Sequence, residues 1–460
     1  MAAKKKSPHA NISPARREAF ATLLEIEKGS AHADDLLRSP RVSALSPQDR
    51  NLTTTLVLGA LRWQIGLDVE IRKYLTKPNA RLDAEVQIAL RLGAFQLQHL
   101  DRIPAHAAIS DSVELAKSAG HKFAAGMVNA VLRKIASAPK PNLTPNLNLT
   151  PIELAAVTAH PAWLVERWAN TYGIAATRNI CLHGQQQPEL TIRTSSPNLT
   201  EQGINLEPGV ILTSARRVVS GDITATQHFA NGVIRIQDEG SQLIAELAPR
   251  GAEIIDACAA PGGKTLILAE RNPQSQITAC EISPSRLKAM RERFTQLAPA
   301  ATIECVQADA ATLDTGQRYD SILVDAPCSG TGTLGRNPEI RHRLQPEDLA
   351  RHHRRQVAIL NSVLRVAAEN GEVLYSTCSL EPEENQDVID AVLSANEAWQ
   401  QISLDDRITS LSAKGILVES AAKNLQNCLT TNGSMMILPG SLGEGTRTDG
   451  FFAALLRRKL

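Results

Sequence analysis

Two cysteines of this sequence stand in polar segments that each follow a short apolar run. Cys328 lies in the segment Asp325–Gly332 (DAPCSGTG), and Cys378 lies in the segment Ser376–Ser379 (STCS). A thiolate is a strong nucleophile, although a cysteine is more often an inert, buried small hydrophobe. Because both thiols follow a predicted strand and are flanked by polar residues, they are candidates for covalent chemistry. Four other cysteines are interpreted as structural: Cys181, Cys280, Cys305 and Cys428.

A glycine-containing loop upstream of these thiols is a candidate ligand site. It reads DACAAPGGKT over Asp256–Thr265, and Gly262 and Gly263 permit a tight turn beside a helix N-terminus. The loop lacks the glycine spacing of a Walker A loop and of the GxGxxG dinucleotide fingerprint. The predicted ligand is therefore neither a nucleoside triphosphate nor a dinucleotide, and a purely structural turn is the alternative.

Acidic residues end three successive predicted strands after this loop: Glu281, Asp309 and Asp325. Ligands of parallel sheets bind beyond the carboxyl ends of the strands. Glu281 follows the loop by about 20 residues, where nucleotide-binding folds place an acid for the ribose hydroxyls. Asp309 suits the exocyclic amine of an adenine, and solvated charges at strand ends are the alternative. Because the sequence has no phosphate-binding loop of these two kinds, the ligand expected to contact both acids is an adenosine that carries no phosphates.

These residues need a parallel sheet to bring them together, and the C-terminal half has the pattern of one. Short apolar runs alternate there with helical stretches, which predicts βα units and the α/β fold class. The runs are Ile254–Ile255, Ile277–Cys280, Ile303–Val306, Ile322–Val324 and Val373–Tyr375. We expect this α/β domain over residues 235–460. Before it we expect an all-α domain over 1–137, a Pro- and Asn-rich linker over 138–152 and a small α+β domain over 153–234.

The composition limits the partners and the location of the protein. The chain has 460 residues and a net charge of +1, so any basic surface for a nucleic acid has to be local. The seven cysteines form no CxxC pair, which favours reduced thiols in a cytoplasm over a zinc ribbon or a disulfide framework. No apolar stretch is long enough to span a bilayer, and no His, Asp or Glu cluster has metal-ligand spacing. We therefore expect no membrane anchor and no metal.

Three segments together resemble motifs of the RNA cytosine-5 methyltransferase family: DACAAPGGKT, DAPCSGTG and YSTCSLEPEEN. QDEGSQL (Gln237–Leu243) and DGFFAALL (Asp449–Leu456) are similar to its flanking motifs. In the N-terminal half, ARREAFATLLEI, PAHAAISDSVELAK and NAVLRKI resemble the NusB-like RNA-binding domain found on one branch of the family. That branch modifies bacterial 16S ribosomal RNA. The resemblance covers nearly the whole chain and is thin between Ser195 and Val233.

This resemblance implies a Rossmann-like methyltransferase domain that uses S-adenosyl-L-methionine. It implies that Cys378 is the nucleophile, that Cys328 assists product release and that Asp325 sits between the cofactor and the target base. The cofactor-binding residues that it implies are Cys258, Ala259, Ala260, Pro261, Gly262, Gly263, Lys264, Glu281, Asp309 and Asp325. The sequence departs from the family where Glu281 replaces a more frequent aspartate and where Pro439-Gly440 replaces a common Pro-His.

The chemistry of cytosine explains why such an enzyme needs a thiol. Carbon 5 is a poor nucleophile, and addition of a thiolate at carbon 6 makes it reactive. Asp325, protonated or sharing a proton, would hydrogen-bond the base. A paired base is out of reach, so the predicted partner is an unpaired or flipped cytosine of 16S rRNA, bound by a monomer.

Basic residues beside the candidate site are predicted to contact phosphates, although a solvated helix face is the alternative. They are Arg16 and Arg17 near the N-terminus, and Arg336, Arg341, His342, Arg343, Arg351, His352, His353, Arg354 and Arg355 after Cys328. Three other functions stay open. They are a transfer-RNA cytosine-5 methyltransferase, a non-enzymatic RNA-binding factor with a decayed catalytic domain, and a DNA methyltransferase, whose nucleophile would be Cys328.

Overall fold

The computed structural model describes residues 12–29, 32–140, 148–196, 199–443 and 447–459. The start of the predicted all-α domain (1–11) and the middle of the predicted linker (141–147) lie outside the described residues. The chain forms two compact units. One contains Met1–Gln187 with Leu334–Arg343, and the other contains Pro188–Thr333 with Leu344–Leu460.

The N-terminal part of the first unit is helical, as the sequence predicts. Its helices are α1 (Pro14–Glu27), α2 (Ala33–Leu37), α3 (Pro40–Ser43), α4 (Pro47–Tyr74), α5 (Ala84–His99), α6 (Ala105–Ser118), α7 (Ala125–Ala136), α8 (Pro151–Val157) and α9 (Ala162–Gln185). Helix α1 begins where Ser13 accepts a hydrogen bond from the backbone N–H of Arg16, with Pro14 at the first helical position. Buried side chains such as Phe20, Leu56 and Leu132 form the core of this bundle.

A small antiparallel sheet opens the second unit. It consists of β1 (Leu190–Thr194), β2 (Asn205–Pro208), β3 (Ala215–Ser220) and β4 (Ile234–Ile236), in the order β2-β3-β1-β4, with helix α10 (Gln227–Ala230) before β4. The alternation of polar and apolar residues in Leu190–Thr194 gives a strand that is buried from its second residue onward.

The remainder of the chain forms a large sheet and the helices of the same unit. It also contains α14, a short helix that belongs to the first unit. The elements are α11 (Glu239–Leu247), β5 (Glu253–Asp256), α12 (Gly263–Arg271), β6 (Gln276–Glu281), α13 (Pro284–Leu297), β7 (Thr302–Gln307), β8 (Tyr319–Asp325), α14 (Ile340–Arg343), α15 (Pro346–Val366), β9 (Ala367–Thr377), α16 (Gln386–Ala395), β10 (Trp399–Ile402), α17 (Asp405–Ala413), α18 (Ala421–Gln426), β11 (Met435–Ile437) and β12 (Phe451–Arg458). All five apolar runs singled out in the sequence lie in strands of this sheet.

The large sheet has eight strands, seven of them in the order β10-β12-β9-β8-β5-β6-β7, and β11 pairs with β12. Five consecutive strands, β9-β8-β5-β6-β7, are parallel, which confirms the predicted α/β class. Strand β12 pairs antiparallel with β9, and no sequence pattern singled out above corresponds to β10, β11 or β12 as a strand. Between β5 and β8 the strand order reverses direction, and such a switch point is where ligands of open α/β sheets bind.

Strand register decides which residues meet at this edge of the sheet. Asp325, the last residue of β8, pairs with Ser376 of β9, and Asp256, the last residue of β5, pairs with Leu323 of β8. The strands are fixed by a fully buried apolar core that includes Ile322. The loops that follow β5, β8 and β9 therefore converge at one place.

Candidate active site

The two candidate thiols lie at the carboxyl ends of the neighbouring parallel strands β8 and β9. Both are half-buried, and Sγ of Cys328 lies 3.4 Å from Sγ of Cys378. All seven cysteines are free thiols. The hydrogen bond to Cys378, together with burial, raises the pKa of Cys328 well above its usual value. Cys328 therefore keeps its proton, and its thiol lies within hydrogen-bond distance of Sγ of Cys378.

A half-buried ion pair lies beside the thiols. Nζ of Lys264 lies 2.6 Å from Oδ2 of Asp325, and the hydroxyl of Ser376 donates to Oδ1 of Asp325 at 3.1 Å. Burial opposes the charge on Lys264. The attraction and hydrogen bond of Asp325, with a further contribution from the charge of Cys378, outweigh it and raise the pKa of Lys264.

The glycine loop makes a sharp turn between β5 and α12. Gly262 has a φ of 95°, a left-handed conformation that favours glycine, and a Cβ there would lie 2.7 Å from the ring of Phe294. The backbone N–H of Gly262 donates to the carbonyl of Ala259 at 2.7 Å, and the Ala260–Pro261 peptide is cis. Because burial raises the pKa of Cys258 well above its usual value, this thiol stays neutral within the loop.

Two of the predicted acids lie at the carboxyl ends of β6 and β7 and already have partners. Glu281 is 5% exposed; its Oε1 accepts the backbone N–H of Ser283 at 2.8 Å, and its Oε2 lies 3.4 Å from Nη1 of Arg286. Asp309 accepts two hydrogen bonds from the guanidinium of Arg355, which lower its pKa. Each carboxylate oxygen has two lone pairs, so both acids retain capacity to accept a further donor.

Buried acceptors without a described partner lie next to the loop. Oδ1 of Asp256 and Oε1 of Gln237 are buried and have no hydrogen-bond partner among the described residues. A Cβ on Gly263 would lie 3.3 Å from the Gln237 amide, so this side chain borders the turn. Buried polar groups are usually satisfied. Unsatisfied acceptors beside two strand-end carboxylates fit a ligand rich in hydroxyl and amine donors.

A buried carboxylate beneath the thiols was not singled out in the sequence. Glu384 is 0% exposed and accepts the backbone N–H of Ser329 at 2.8 Å. The hydroxyls of Ser329 and Ser379 donate to its other oxygen. A signal was present, because the dipeptide Cys-Ser occurs at both thiols and one acid in the segment after Cys378 can serve both serines.

Several of the predicted phosphate contacts are wrong, because the side chains are buried or engaged within the protein. Arg16 is 8% exposed and pairs with Asp111 at 3.0 Å. Arg341 is 3% exposed and donates to backbone carbonyls of the first unit, as does His342. Arg355 is the partner of Asp309. Arg17 and Arg354 are exposed and stay candidates for phosphate contact.

Pro439-Gly440 forms a turn in which Ser441 donates to the carbonyl of Leu438 at 2.9 Å and Gly440 has a φ of 80°. This conformation suits glycine and explains the residue choice at that position.

In the described part of the chain, no helix is long and apolar enough to cross a membrane. Within the same residues, no group of three or more His, Cys, Asp or Glu could hold a metal ion.

Three family models match this chain in consecutive regions. Residues 13–137 match the NusB family, and residues 160–215 match the ferredoxin-like domain of the RsmF/B-like methyltransferases. Residues 244–457 match the 16S rRNA methyltransferase RsmB/F. The all-α part is therefore NusB-like, and the large sheet belongs to a Rossmann-like methyltransferase domain.

Similar proteins agree with these matches. A probable ribosomal RNA small subunit methyltransferase B of Bacillus subtilis is 33% identical, over 96% of this chain and 98% of the relative. Ribosomal RNA small subunit methyltransferase B of Xanthomonas campestris is 34% identical, over 75% of this chain and 80% of the relative. The crystal structure of PH0851 shares the fold, with a TM-score of 0.76 at 21% identity over 99% of this chain and 100% of that chain. The chain belongs to the RsmB/F family of S-adenosylmethionine-dependent 16S rRNA methyltransferases.

Proposed function

We propose that this protein methylates carbon 5 of an unpaired cytosine in 16S rRNA through a covalent adduct with Cys378. The observation that supports it is the contact of 3.4 Å between Cys328 and Cys378, next to the ion pair of Lys264 and Asp325. In this proposal Cys328 keeps its proton and Cys378 supplies the electron pair, which are the roles that release and covalent addition require.

S-adenosyl-L-methionine fits the residues at the switch point. The turn Cys258–Lys264 and Asp325 would border its methionine end, Glu281 would hold the ribose, and Asp309 would accept from the adenine. The unsatisfied oxygen of Gln237 adds an acceptor beside the turn. When bound, this cofactor supplies a methyl group on a positively charged sulfur. A structural neighbour, NSun6 from Pyrococcus horikoshii, was crystallised with the S-adenosylmethionine analogue SFG; its TM-score is 0.52 at 18% identity, over 64% of this chain and 97% of that chain.

The protein side of the reaction follows from the two thiols and the ion pair. Cys378, as thiolate, forms a bond to carbon 6 of cytosine and so increases the electron density at carbon 5. The proton that Asp325 and Lys264 share stabilises the charge that develops on the ring. After methylation the carbon-5 proton passes to water, the bond from carbon 6 to sulfur breaks, and Cys378 leaves as a thiolate. Cys328 donates its hydrogen bond to that leaving sulfur.

We further propose that the NusB-like helices bind rRNA and carry out no chemistry. The predicted catalytic and cofactor-binding residues all follow residue 234, and Arg17 of α1 is exposed and suited to a phosphate contact. The domain boundaries at 137, 152 and 234 and the monomeric state are part of the same proposal. The loss of exposed cations from this region should weaken rRNA binding and leave cofactor affinity unchanged.

Bisulfite sequencing tests the proposal directly. The purified protein and S-adenosylmethionine are incubated with 16S rRNA and, separately, with total transfer RNA. We expect one protected cytosine in the 16S rRNA and none in the transfer RNA. Methyl transfer without a protected cytosine would contradict the carbon-5 assignment. Protection in transfer RNA alone would replace the proposed substrate.

A further inference from the structure

The buried carboxylate of Glu384 has all its hydrogen-bonding capacity in use. Its Oε1 accepts from the backbone N–H of Ser329 at 2.8 Å and from Nε2 of Gln356 at 3.1 Å. Its Oε2 accepts from the hydroxyls of Ser329 and Ser379. An ionised carboxylate has about four lone-pair sites, so these four donors fill it.

The two serines are the residues that directly follow the two thiols. Ser329 follows Cys328 and Ser379 follows Cys378, and their hydroxyl oxygens lie 3.1 Å apart. One oxygen of Glu384 therefore binds the loop of each thiol. The same loops are also joined by a backbone hydrogen bond of 2.9 Å from Gly332 to the carbonyl of Cys378. Together these bonds form a brace under the sulfur pair.

We propose that Glu384 is a positioning residue that holds the two thiols in contact and distinguishes Cys328, the proton donor, from Cys378, the nucleophile. The inference rests on the proposed function for those two roles. The geometry that carries it is a single fully buried carboxylate hydrogen-bonded to the residue after each thiol.

The charges around Cys328 agree with this arrangement. The hydrogen bond to Cys378 and burial raise the pKa of Cys328, and the charges of Cys378 and Glu384 raise it further. From α15, His352 holds Nδ1 3.9 Å from Oε1 of Glu384, and from β9 the hydroxyl of Tyr375 donates to the Glu384 carbonyl at 2.7 Å. Asp325 ends the strand before Cys328 and is neutralised by Lys264. Removing the charge of Glu384 should therefore make Cys328 easier to deprotonate.

The variant Glu384→Gln removes the charge and keeps the shape. Its amide nitrogen cannot accept, so two donors of the brace lose their acceptor. Thiol alkylation by iodoacetamide, mapped by mass spectrometry between pH 7 and pH 11, measures the state of each cysteine without any substrate. We expect the midpoint for Cys328 to fall by about one pH unit relative to wild type. The methyl-transfer rate should fall at least about tenfold, with unchanged S-adenosylmethionine affinity. The matched control is Glu397→Gln, which changes an exposed carboxylate of the same unit.

A second variant separates position from charge. Glu384→Asp keeps the charge and shortens the side chain, so the Cys328 midpoint should stay near wild type while the methyl-transfer rate still falls. Two outcomes overturn the inference. One is a Glu384→Gln variant that behaves like Glu397→Gln in both readouts. The other is alkylation of the fully buried Cys280 together with Cys328, which would mean that Glu384 only stabilises the fold.

These results are distinguishable from a failure of the proposed function. Alkylation is read in the absence of RNA and cofactor, so it reports on Glu384 even if the substrate is wrong. A failure of the proposed function would show as wild-type protein that protects no cytosine of 16S rRNA. A failure of this inference would show as an active wild type and an unchanged reactivity of Cys328 in Glu384→Gln.

Discussion

Nζ of Lys264 lies 2.6 Å from Oδ2 of Asp325, although the two residues are 61 positions apart in the sequence. One belongs to the first turn of the helix after β5, and the other ends β8. The side chains are 14% and 28% exposed, so the pair is only partly screened by solvent. It joins the predicted cofactor loop to the strand that carries the thiol loop.

Loss of the cation from this pair should slow methyl transfer. In Lys264→Met the carboxylate of Asp325 keeps the Ser376 hydrogen bond but loses the shared proton that we assign to the developing charge on the base. We expect the single-turnover rate at saturating S-adenosylmethionine to fall about 100-fold. Transfer of a tritiated methyl group to rRNA measures it. Lys288→Met is the control, since Lys288 is exposed on α13. Equal rates in the two variants would show that Lys264 has no part in the chemistry.

Cofactor binding should depend on Asp309. Asp309→Ala removes the acceptor that we assign to the adenine and also leaves Arg355 without its carboxylate. We expect the Kd for S-adenosylmethionine, measured by calorimetry, to rise roughly ten- to a hundredfold. The control Asp314→Ala changes an exposed carboxylate five residues further along the same connection and should leave the Kd unchanged. Tight binding of ATP to the wild type would contradict an unphosphorylated adenosine ligand.

The edge of the sheet where the site lies could be predicted from the sequence, because parallel strands carry their carboxyl ends to one side. Asp325, Cys328 and Cys378 each follow a buried apolar run, and that pattern alone brings them together. The brace of Glu384 could not be predicted in this way. It joins residues 55 positions apart through side-chain hydrogen bonds, and the hydrophobic periodicity of a sequence does not reveal such bonds.

Burial of cations is the other feature that the sequence did not reveal. Arg16 and Arg341 stand in segments that read as exposed basic clusters. Arg16 is nevertheless paired with Asp111, 95 positions away, and Arg341 donates to the carbonyl of Arg62, 279 positions away. A charged residue type predicts exposure only on average. Whether a particular charged side chain is exposed depends on its tertiary partner, which a single sequence does not show.

The stability of the protein should depend on the titration of Asp256. Burial raises the pKa of this carboxyl from 3.8 to about 6. The folded state therefore binds more protons than the unfolded state between about pH 4 and pH 6. This group's contribution to stability is present below that window and is lost as the pH rises through it, by about 3 kcal/mol.

The variant Asp256→Asn tests this dependence. The difference in unfolding free energy between wild type and variant should shift in favour of the variant by about 2 kcal/mol from pH 4 to pH 7. Urea unfolding at intervals of one pH unit measures it. Asp314→Asn, at an exposed carboxyl, should show a difference that is nearly independent of pH. A constant difference for Asp256→Asn as well would mean that the group is already ionised at pH 4.

Serine substitution of the two thiols should have different effects on the RNA product. Cys378→Ser has no competent nucleophile, so we expect neither methylated RNA nor a covalent complex. Cys328→Ser can still add, methylate once and then stall, because a serine hydroxyl is a much weaker acid than the thiol that lies 3.4 Å from the leaving sulfur. It should accumulate a protein–RNA adduct that survives detergent electrophoresis and carries the tritiated methyl group. Cys428→Ser, at a half-buried thiol outside the site, should behave like wild type. If the adduct came from Cys378→Ser and not from Cys328→Ser, the nucleophile would be Cys328, as in a DNA methyltransferase, and the reaction class would still stand.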